Sequence, residues 1–299
     1  MSSHFPVIWD STMLASLRAC RQQFEYSHVQ HLKIKGTSVH LHAGAAFAKA
    51  LEVTRLSYYG ENRSPNESLA RGVQALIKEY GDFDPGSSAK SLDRMVGALE
   101  FYFSEYPLDS DPARVITLAG KPAVEFSFAI PLPLNHPDSG EPLVLAGRFD
   151  AVVEFAGGIY PNDEKTTSSL GSSWSKQWEM RGQFVGYCWA LRELGIPPAG
   201  MIVSGISILK TKYEQQRAII PTPNWKIDAW FADTMGEIEE AIGRYKAGAP
   251  IRKNWSEACN AYGACPYKQL CSVEDPQVWI DTYYEVRPWN PLKVVEATP

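Results

Sequence analysis

The sequence lacks any run of about 18 uninterrupted apolar residues, the length that a membrane-spanning helix needs. It also lacks an N-terminal basic region followed by an apolar run, so we expect no secretory signal and a cytoplasmic protein. No internal repeat or low-complexity block is visible. With 44% hydrophobic residues, the chain can bury a sizeable core and is not disordered throughout.

An excess of positive charge is also missing. The chain has 29 Lys and Arg against 34 Asp and Glu, a formal net charge of −5. This balance excludes a protein coated with basic residues for nucleic-acid binding, although a local basic groove stays possible. Zinc-finger spacing, a basic zipper and an RNP signature are absent too, so sequence-specific recognition of nucleic acid is not predicted.

Cysteine is scarce, with five residues in 299. In a reducing compartment this number argues against a disulfide framework and favours metal binding or ordinary burial. The length allows one large domain or two ordinary ones.

Hydrophobic periodicity and turn-forming residues predict helices, then a run of strands, then one helix before two more strands. The predicted helices are 11–27, 44–59, 65–80, 88–105, 173–194 and 224–247. The predicted strands are 122–132, 143–155, 158–165, 200–209 and 214–221. A cysteine-rich loop at 254–275 and an irregular Pro-rich tail at 285–299 follow. This order indicates an α/β or α+β domain with helical additions.

Two carboxylates and a lysine are predicted to meet on one hairpin. If 145–155 pairs with 158–165 through a turn at Ala156-Gly157-Gly158, Asp150 and Asp163 lie on neighbouring strands, and Lys165 shares the face of Asp163. Oxygen ligands suit Mg²⁺ or Mn²⁺, and a lysine can stabilise charge on a phosphate, so this set fits phosphodiester hydrolysis. Taken alone, Asp-x-Lys is more typical of a polar strand end or a surface salt bridge.

The wider context resembles the RecB-like branch of the PD-(D/E)xK nuclease superfamily. That branch reads G-R-hydrophobic-D, then D-x-K-T, then Q-x-x-x-Y on a helix; here these are 147–150, 163–166 and 183–187. The resemblance implies that Asp150, Asp163 and the backbone carbonyl of Glu164 hold Mg²⁺ or Mn²⁺. It implies that Lys165 assists catalysis and that Gln183 and Tyr187 face the metal site from one side of their helix.

The chain departs from the family at one position. Many members carry a metal-binding histidine on an early helix in the pattern G-x-x-x-H, and here Ala48 follows Gly44 at that spacing. Glu52, one turn further on, is the candidate substitute. Glu125 is another candidate acid, although a structural role fits it better. His40 and His42 are expected to be exposed and to precede the helix.

Four cysteines form a second candidate site. Cys259, Cys265 and Cys271 follow C-x5-C-x5-C, and Cys20 lies far away on the first helix. The spacing differs from the C-x2-C of structural zinc, and four thiolates suit a [4Fe–4S] cluster, with zinc as the competitor. Similar arrangements occur in AddB-type nucleases and in the CRISPR-adaptation exonuclease family. Cys188, in an apolar stretch, is expected to pack in the core.

Three residues are candidates for contact with nucleic acid. Arg21 and Arg181 could bind phosphates, and Trp174 could stack on a base as in single-strand binders. For Trp174, a role as an anchor in the core is an equally good alternative.

The resemblance implies one nuclease domain over residues 1–299 with a PD-(D/E)xK restriction-endonuclease-like α/β core, a central mixed sheet flanked by helices. Its parts are a helical region (11–110), the nuclease core (120–222), a C-terminal helix with the cysteine-rich segment (224–275) and a tail (276–299). An iron–sulfur staple would join the N- and C-terminal parts.

The resemblance implies a metal-dependent DNA exonuclease that uses metal-activated water. It would act on DNA with a single-stranded end in recombination, repair or replication in a phage or prokaryote. It would have no membrane partner, and it would work as a homo-oligomer or with a recombination or replication partner. The alternative is a catalytically inactive scaffold of the same fold, with iron–sulfur or zinc, that binds DNA or a partner. A third interpretation, a trimming enzyme of CRISPR adaptation, differs only in its partner.

Overall fold

The computed structural model describes residues 5–36, 38–260 and 264–291. The chain forms two compact units. Unit 1 comprises Met1–Gly36, Ser127–Gly147 and Asp228–Pro299, and unit 2 comprises Thr37–Phe126 and Arg148–Ile227. The prediction of one domain over 1–299 stays a prediction.

The helices alternate with loops and strands along the whole chain. They are α1 (Ser11–Ala19), α2 (Arg21–Phe24), α3 (Val39–Arg55), α4 (Pro65–Tyr80), α5 (Leu92–Glu105), α6 (Gly182–Glu193), α7 (Asn224–Lys246), α8 (Lys268–Cys271) and α9 (Gln277–Tyr283). Single π-helical turns follow α2 and α3, at Glu25–Val29 and Leu56–Gly60, and short 3₁₀ helices occur at Lys176–Trp178 and Glu257–Cys259.

Long strands occupy the middle of the sequence. The strands are β1 (Ile8–Trp9), β2 (Leu32–Ile34), β3 (Arg114–Val115), β4 (Thr117–Leu118), β5 (Lys121–Pro122), β6 (Val124–Asn135), β7 (Pro142–Phe155), β8 (Gly158–Thr167), β9 (Gly200–Ile208), β10 (Tyr213–Pro221) and β11 (Tyr284–Val286).

A mixed sheet with the order β7-β8-β9-β10 organises unit 2. Strands β7 and β8 form the predicted antiparallel hairpin, with Ala151 opposite Asn162 and Phe155 opposite Gly158. Ala156 and Gly157 both have positive φ, 48° and 78°, as a tight hairpin turn requires. Strand β9 runs parallel to β8, and a parallel neighbour needs a crossover, which α6 provides.

The two faces of this sheet carry different helices. Ile206 and Ile208 of β9 belong to a buried cluster with α3, α4 and α5. Helix α3 contributes Ala43, Ala46, Phe47, Ala50 and Leu51 to that cluster at helical spacing. Strand residues alternate between faces. Asp163 and Lys165 of β8 therefore lie on the opposite face, where Gln183 and Phe184 of α6 contact them. The predicted α/β fold with a mixed sheet flanked by helices is confirmed.

Unit 1 has its own elements and core. Strand β1 pairs in parallel with β7, Ile8 opposite Val144, and β2 pairs antiparallel with β11. A small cluster beside this second pair contains Tyr26, Leu32, Tyr267, Leu270 and Tyr284. Within the described residues, no helix of either unit combines the length and apolar composition needed to cross a membrane.

Several predicted elements differ from the structure. The helix expected over 11–27 breaks at Cys20, whose backbone is extended (φ −166°, ψ 124°). The helix expected over 173–194 begins only at Gly182. The ring of Trp174 lies against Gly205, where a Cβ would be 2.3 Å from it, and this packing accompanies a non-helical approach to α6. Helix α4 coincides with the predicted 65–80.

The C-terminal segment is more regular than expected. The predicted loop 254–275 contains α8, and α9 lies between that loop and the irregular tail predicted over 285–299. Strand β11 extends into the first residues of this tail, where it gains hydrogen-bonding partners on β2. Residues 261–263 of the loop and 292–299 of the tail lie outside the described residues.

Candidate active site

Asp150 lies where the β7–β8 ladder ends. Beyond the Ala151–Asn162 pair, the backbone N–H of Glu164 donates to Asp150 Oδ2 at 2.8 Å. The carboxyl group of Asp150 therefore accepts the β8 backbone hydrogen bond at the point where the pairing of β7 and β8 has ended. Burial raises its pKa well above the ordinary value, and the nearby carboxylates of Asp163 and Glu164 raise it further.

Buried Asp163 and the partly exposed Lys165 form an ion pair on the α6 face of the sheet. Lys165 Nζ is 2.6 Å from Asp163 Oδ2, and the Asp163 side chain is only 3% exposed. Burial disfavours the charged form of Lys165, but Asp163 and Asp150 outweigh it and raise the pKa of this lysine. Lys165 is therefore a fixed cation beside two carboxyl groups, as predicted for the Asp-x-Lys spacing.

Helix α6 brings the predicted glutamine and tyrosine to Asp163. Gln183 Nε2 donates to Tyr187 Oη at 3.2 Å and lies 3.5 Å from Asp163 Oδ1. Tyr187 is buried and its ring meets Phe149 edge to face, at 5.2 Å between centroids. The i, i+4 spacing thus places both side chains on the helix face that points to Asp163.

Glu164 points the other way, into a network that the sequence did not reveal. Its Oε1 accepts from Arg55 at 2.5 Å, from Tyr102 at 3.4 Å and from Asn162. Burial would raise the pKa of Glu164, but Arg55 outweighs it and holds this pKa below the ordinary value. Arg55 lies on α3 and Tyr102 on α5, so their approach to β8 depends on tertiary packing that no local pattern encodes.

The acidic groups suit a hard divalent cation. Asp163 is buried and lies close enough to Asp150 to raise the pKa of the Asp150 carboxyl, so this pair of acids favours the binding of a proton or a cation. Among the described residues, no three His, Cys, Asp or Glu side chains form a ready-made ion-binding group. This finding is compatible with Mg²⁺, which binds through one or two carboxylates and keeps several waters. The donor chemistry at Asp150 and Asp163 therefore fits the cation that the family implies.

A cavity of about 410 Å³ opens beside Asp150 within unit 2. Its α3 wall contains Gly44, Ala45, Ala48 and Leu51, and the opposite wall contains Glu125, Asp150, Glu164, Lys165 and Thr166. Glu52 is not among its lining residues, and both oxygens of that carboxylate accept from Lys49, at 3.0 and 2.9 Å.

The two early histidines differ from the expectation in position. His40 and His42 lie inside the first turn of α3 and do not precede it. His40 is exposed and lines the cavity, whereas His42 stacks on Phe83 with 4.0 Å between centroids and bonds to the Tyr80 carbonyl.

The four candidate cluster cysteines all line one cavity of about 430 Å³ in unit 1. The extended backbone of Cys20 ends α1 there, and Cys20 Sγ accepts from the backbone N–H of Asn254 at 3.3 Å. Cys259 donates to the carbonyl of the same Asn254 at 3.4 Å. Burial raises the pKa of the Cys265 and Cys271 thiols, and the neighbouring cysteines raise it further. As placed, the described cysteines do not form a ready-made metal-binding group.

Cys188 lies apart from them on α6. It is fully buried, and burial raises the pKa of its thiol to about 12. Its predicted place in the core is confirmed.

The three candidate nucleic-acid contacts lie in different settings. Arg21 pairs with Glu240 at 3.1 Å in unit 1. Arg181 is exposed directly before α6, and its charge influences the pKa values of Asp163 and Lys165. Trp174 is 5% exposed and packs on Gly205, so its position favours the alternative role as a core anchor.

Comparison with known proteins identifies the family of this chain. The family model of the PD-(D/E)XK nuclease superfamily matches residues 11–272, so the chain belongs to that superfamily. No curated protein is similar enough to count as a relative.

Two solved structures are similar to this chain. One is a protein named "Putative exonuclease" from Eubacterium rectale, with a TM-score of 0.51 and 11% identity, covering 97% of this chain and 94% of that chain. At this identity the likeness shows a shared fold. The other, SSO0001, has a TM-score of 0.28 and 15% identity over 75% of this chain and 84% of that chain, and supports no inference.

Proposed function

We propose that the protein is a Mg²⁺- or Mn²⁺-dependent DNA exonuclease. The observation that carries this proposal is the set of Asp150, Asp163 and Lys165, which Gln183 approaches from α6, in a chain of the nuclease superfamily. Asp150, Asp163 and the backbone carbonyl of Glu164 would hold the cation. When bound, it supplies a water nucleophile at neutral pH and offsets charge on the phosphate.

The residues of the chain have distinct tasks in this proposal. Lys165 is held in its charged form by Asp163 and stabilises negative charge on the phosphate oxygens as they react. Gln183 and Tyr187 fix Asp163 from the side of α6. Arg55 fixes Glu164, whose backbone N–H in turn orients Asp150.

Cleavage of end-labelled DNA tests this function. We expect linear single-stranded DNA to be lost with Mn²⁺ and kept with EDTA, and circular single-stranded DNA to survive. Asp150→Asn and Lys165→Met should abolish the loss, whereas Lys78→Met, at an exposed lysine of α4, should not. Cleavage of the circle would indicate an endonuclease instead. DNA binding without cleavage, equal in chelator and in Mn²⁺, would establish the inactive scaffold, which the alanine at position 48 favours.

The proposal includes a [4Fe–4S] cluster on Cys20, Cys259, Cys265 and Cys271. It is supported by the cavity that all four line in unit 1. Closing the long loop between Cys20 and Cys259 would limit the unfolded ensemble, so the cluster would be structural. After anaerobic purification we expect a broad visible absorption band and about four irons per chain. A colourless protein with zinc would show a zinc site instead.

The biological setting also belongs to this proposal. A substrate with a single-stranded end, a cytoplasmic location, a phage or prokaryotic origin and a role in recombination, repair or replication all stay predictions. So does assembly with a second copy or a partner.

A further inference from the structure

Part of one wall of the cavity beside Asp150 offers no ligand to a cation. On the α3 side, four of the lining residues are Gly44, Ala45, Ala48 and Leu51, which have no polar side-chain atoms, and His40 lines the cavity from the exposed first turn of the helix. Position 48 is where the family resemblance would place a metal-binding histidine. The acids that could add a further ligand at this cavity lie on the opposite wall, which the strands form.

Glu125 of β6 is an acid on that opposite wall with an oxygen to offer. Its side chain is 12% exposed, and Oε2 pairs with Arg148 Nε at 2.6 Å. Oε1 has no hydrogen-bond partner among the residues that the structure describes. Glu164, the other glutamate on this wall, pairs through Oε1 with Arg55, and its buried Oε2 has no hydrogen-bond partner among the described residues.

The position of Glu125 is fixed by its neighbours. Arg148 and Asp150 lie two residues apart on β7, so the arginine that holds Glu125 extends from the same strand as the candidate ligand Asp150. Glu125 is close enough to Asp150 for its charge to raise the pKa of that carboxyl. The backbone of Glu125 is in the left-handed region (φ 49°), which is uncommon for a residue other than glycine and is found at functional sites.

Glu52, the other candidate, does not meet these conditions. It lies outside the cavity lining, and Lys49 binds both of its oxygens. We propose that Glu125, together with Asp150, is the carboxylate ligand that replaces the missing histidine, and that Arg148 positions it. This inference rests on the proposed metal-dependent nuclease and adds one ligand to it.

Binding of Mn²⁺ alone, followed by electron paramagnetic resonance of the free ion, tests the assignment without cleavage. The full chain is compared with Glu125→Gln, Glu52→Gln and Asp150→Asn, each checked for folding by circular dichroism. We expect the Kd for Mn²⁺ to rise about tenfold or more in Glu125→Gln and to stay unchanged in Glu52→Gln, since even removal of partners behind the ligands costs about 10–100-fold in affinity.

The outcomes separate this inference from the nuclease proposal. If the Asp150→Asn protein binds Mn²⁺ weakly while Glu125→Gln binds like the parent protein, Glu125 is not a ligand but the metal site stands. If the parent protein itself binds no Mn²⁺, the proposed function fails together with the ligand. Should Glu125→Gln not fold, Glu125→Met removes both carboxylate oxygens from a side chain of similar length, and Mn²⁺ binding at the parent affinity in that variant would overturn the assignment.

Discussion

Replacing Arg55 by methionine should lower the free energy of unfolding at pH 7 by about 3 kcal/mol, since breaking a buried pair costs about 3–5 kcal/mol. The side chains of Arg55 and Glu164 are only 9% and 6% exposed, and the arginine is the cation that holds this carboxylate charged. Without it, Glu164 can take up a proton. Protonation of a carboxyl group with the ordinary pKa of 4.5 costs about 3.4 kcal/mol at pH 7, because pH 7 lies about 2.5 pH units above that pKa and each unit costs about 1.36 kcal/mol.

A small polar cavity should keep the loss of stability in Arg55→Met from being larger. About 20 Å³ of space, enough for one water, lies beside Arg55, Tyr102 and Asn162. Water that enters from this cavity after the substitution can solvate Glu164. We therefore place the loss near the lower end of the range for a broken buried pair.

The pH dependence distinguishes this explanation from simple loss of packing. In the parent protein, Arg55 holds the pKa of Glu164 below 4.5, so the stability that this group contributes is present above pH 4.5 and is lost as the pH falls through the folded-state pKa. In Arg55→Met the folded-state pKa is raised. The destabilisation should then shrink by about 2 kcal/mol between pH 7 and pH 5.5, at about 1.36 kcal/mol per unit.

Urea unfolding at both pH values measures these changes, with Arg55→Met/Glu164→Gln as the matched control. The double variant has no buried carboxylate at position 164, so it should recover much of the stability and lose the extra pH dependence. A loss below about 1 kcal/mol in the single variant, the value of an exposed pair, would refute the argument. So would a loss that is the same at pH 7 and pH 5.5.

Three further changes have defined outcomes. Lys90 is 5% exposed, its ammonium donates to the Thr166 hydroxyl at 2.9 Å, and burial lowers its pKa, so Lys90→Met should raise the free energy of unfolding by about 1 kcal/mol. It should also remove a rise in stability as the pH climbs toward 10.5, which urea titrations at pH 7 and 9.5 would detect. Gly205→Ala should lower stability by about 1–3 kcal/mol in thermal melts, because its Cβ would lie 2.3 Å from the Trp174 ring; Gly205→Ala with Trp174→Leu should regain part of it. Cys20→Ser should lose the visible band and the iron, whereas Cys188→Ser should keep both; equal iron in the two proteins would remove Cys20 from the cluster.

The part of the site that sequence predicted is the part that is local. Asp150, Asp163 and Lys165 lie on two strands joined by a tight turn, and Ala156-Gly157 marks that turn. Once the turn is placed, the period of two in a strand determines which side chains share a face. Gln183 and Tyr187 follow from the helical period in the same way.

The interactions that sequence missed join distant segments. Arg55 and Glu164 are 109 residues apart, and either charge in isolation is typical of a solvated surface. Trp174 and Trp178 have helical spacing, which predicts a helix. In the structure the Trp174 ring instead packs against Gly205, on a strand further along the chain, where the absence of a side chain leaves room for it. Such contacts depend on packing between elements, which periodicity within one element does not encode.

The alanine at position 48 illustrates the same limit for function. In the sequence, the absence of a histidine at position 48 indicates the loss of a ligand and favours an inactive scaffold. A cation is bound by donors from every wall of its site, however, and hard cations accept carboxylate oxygens and water in place of an imidazole. The wall opposite α3 carries Glu125, held by Arg148, with one carboxylate oxygen free of protein partners among the described residues. The loss of a motif residue therefore argues for an inactive scaffold only if that wall also fails to bind the cation, and the Mn²⁺ affinity of Glu125→Gln decides this point.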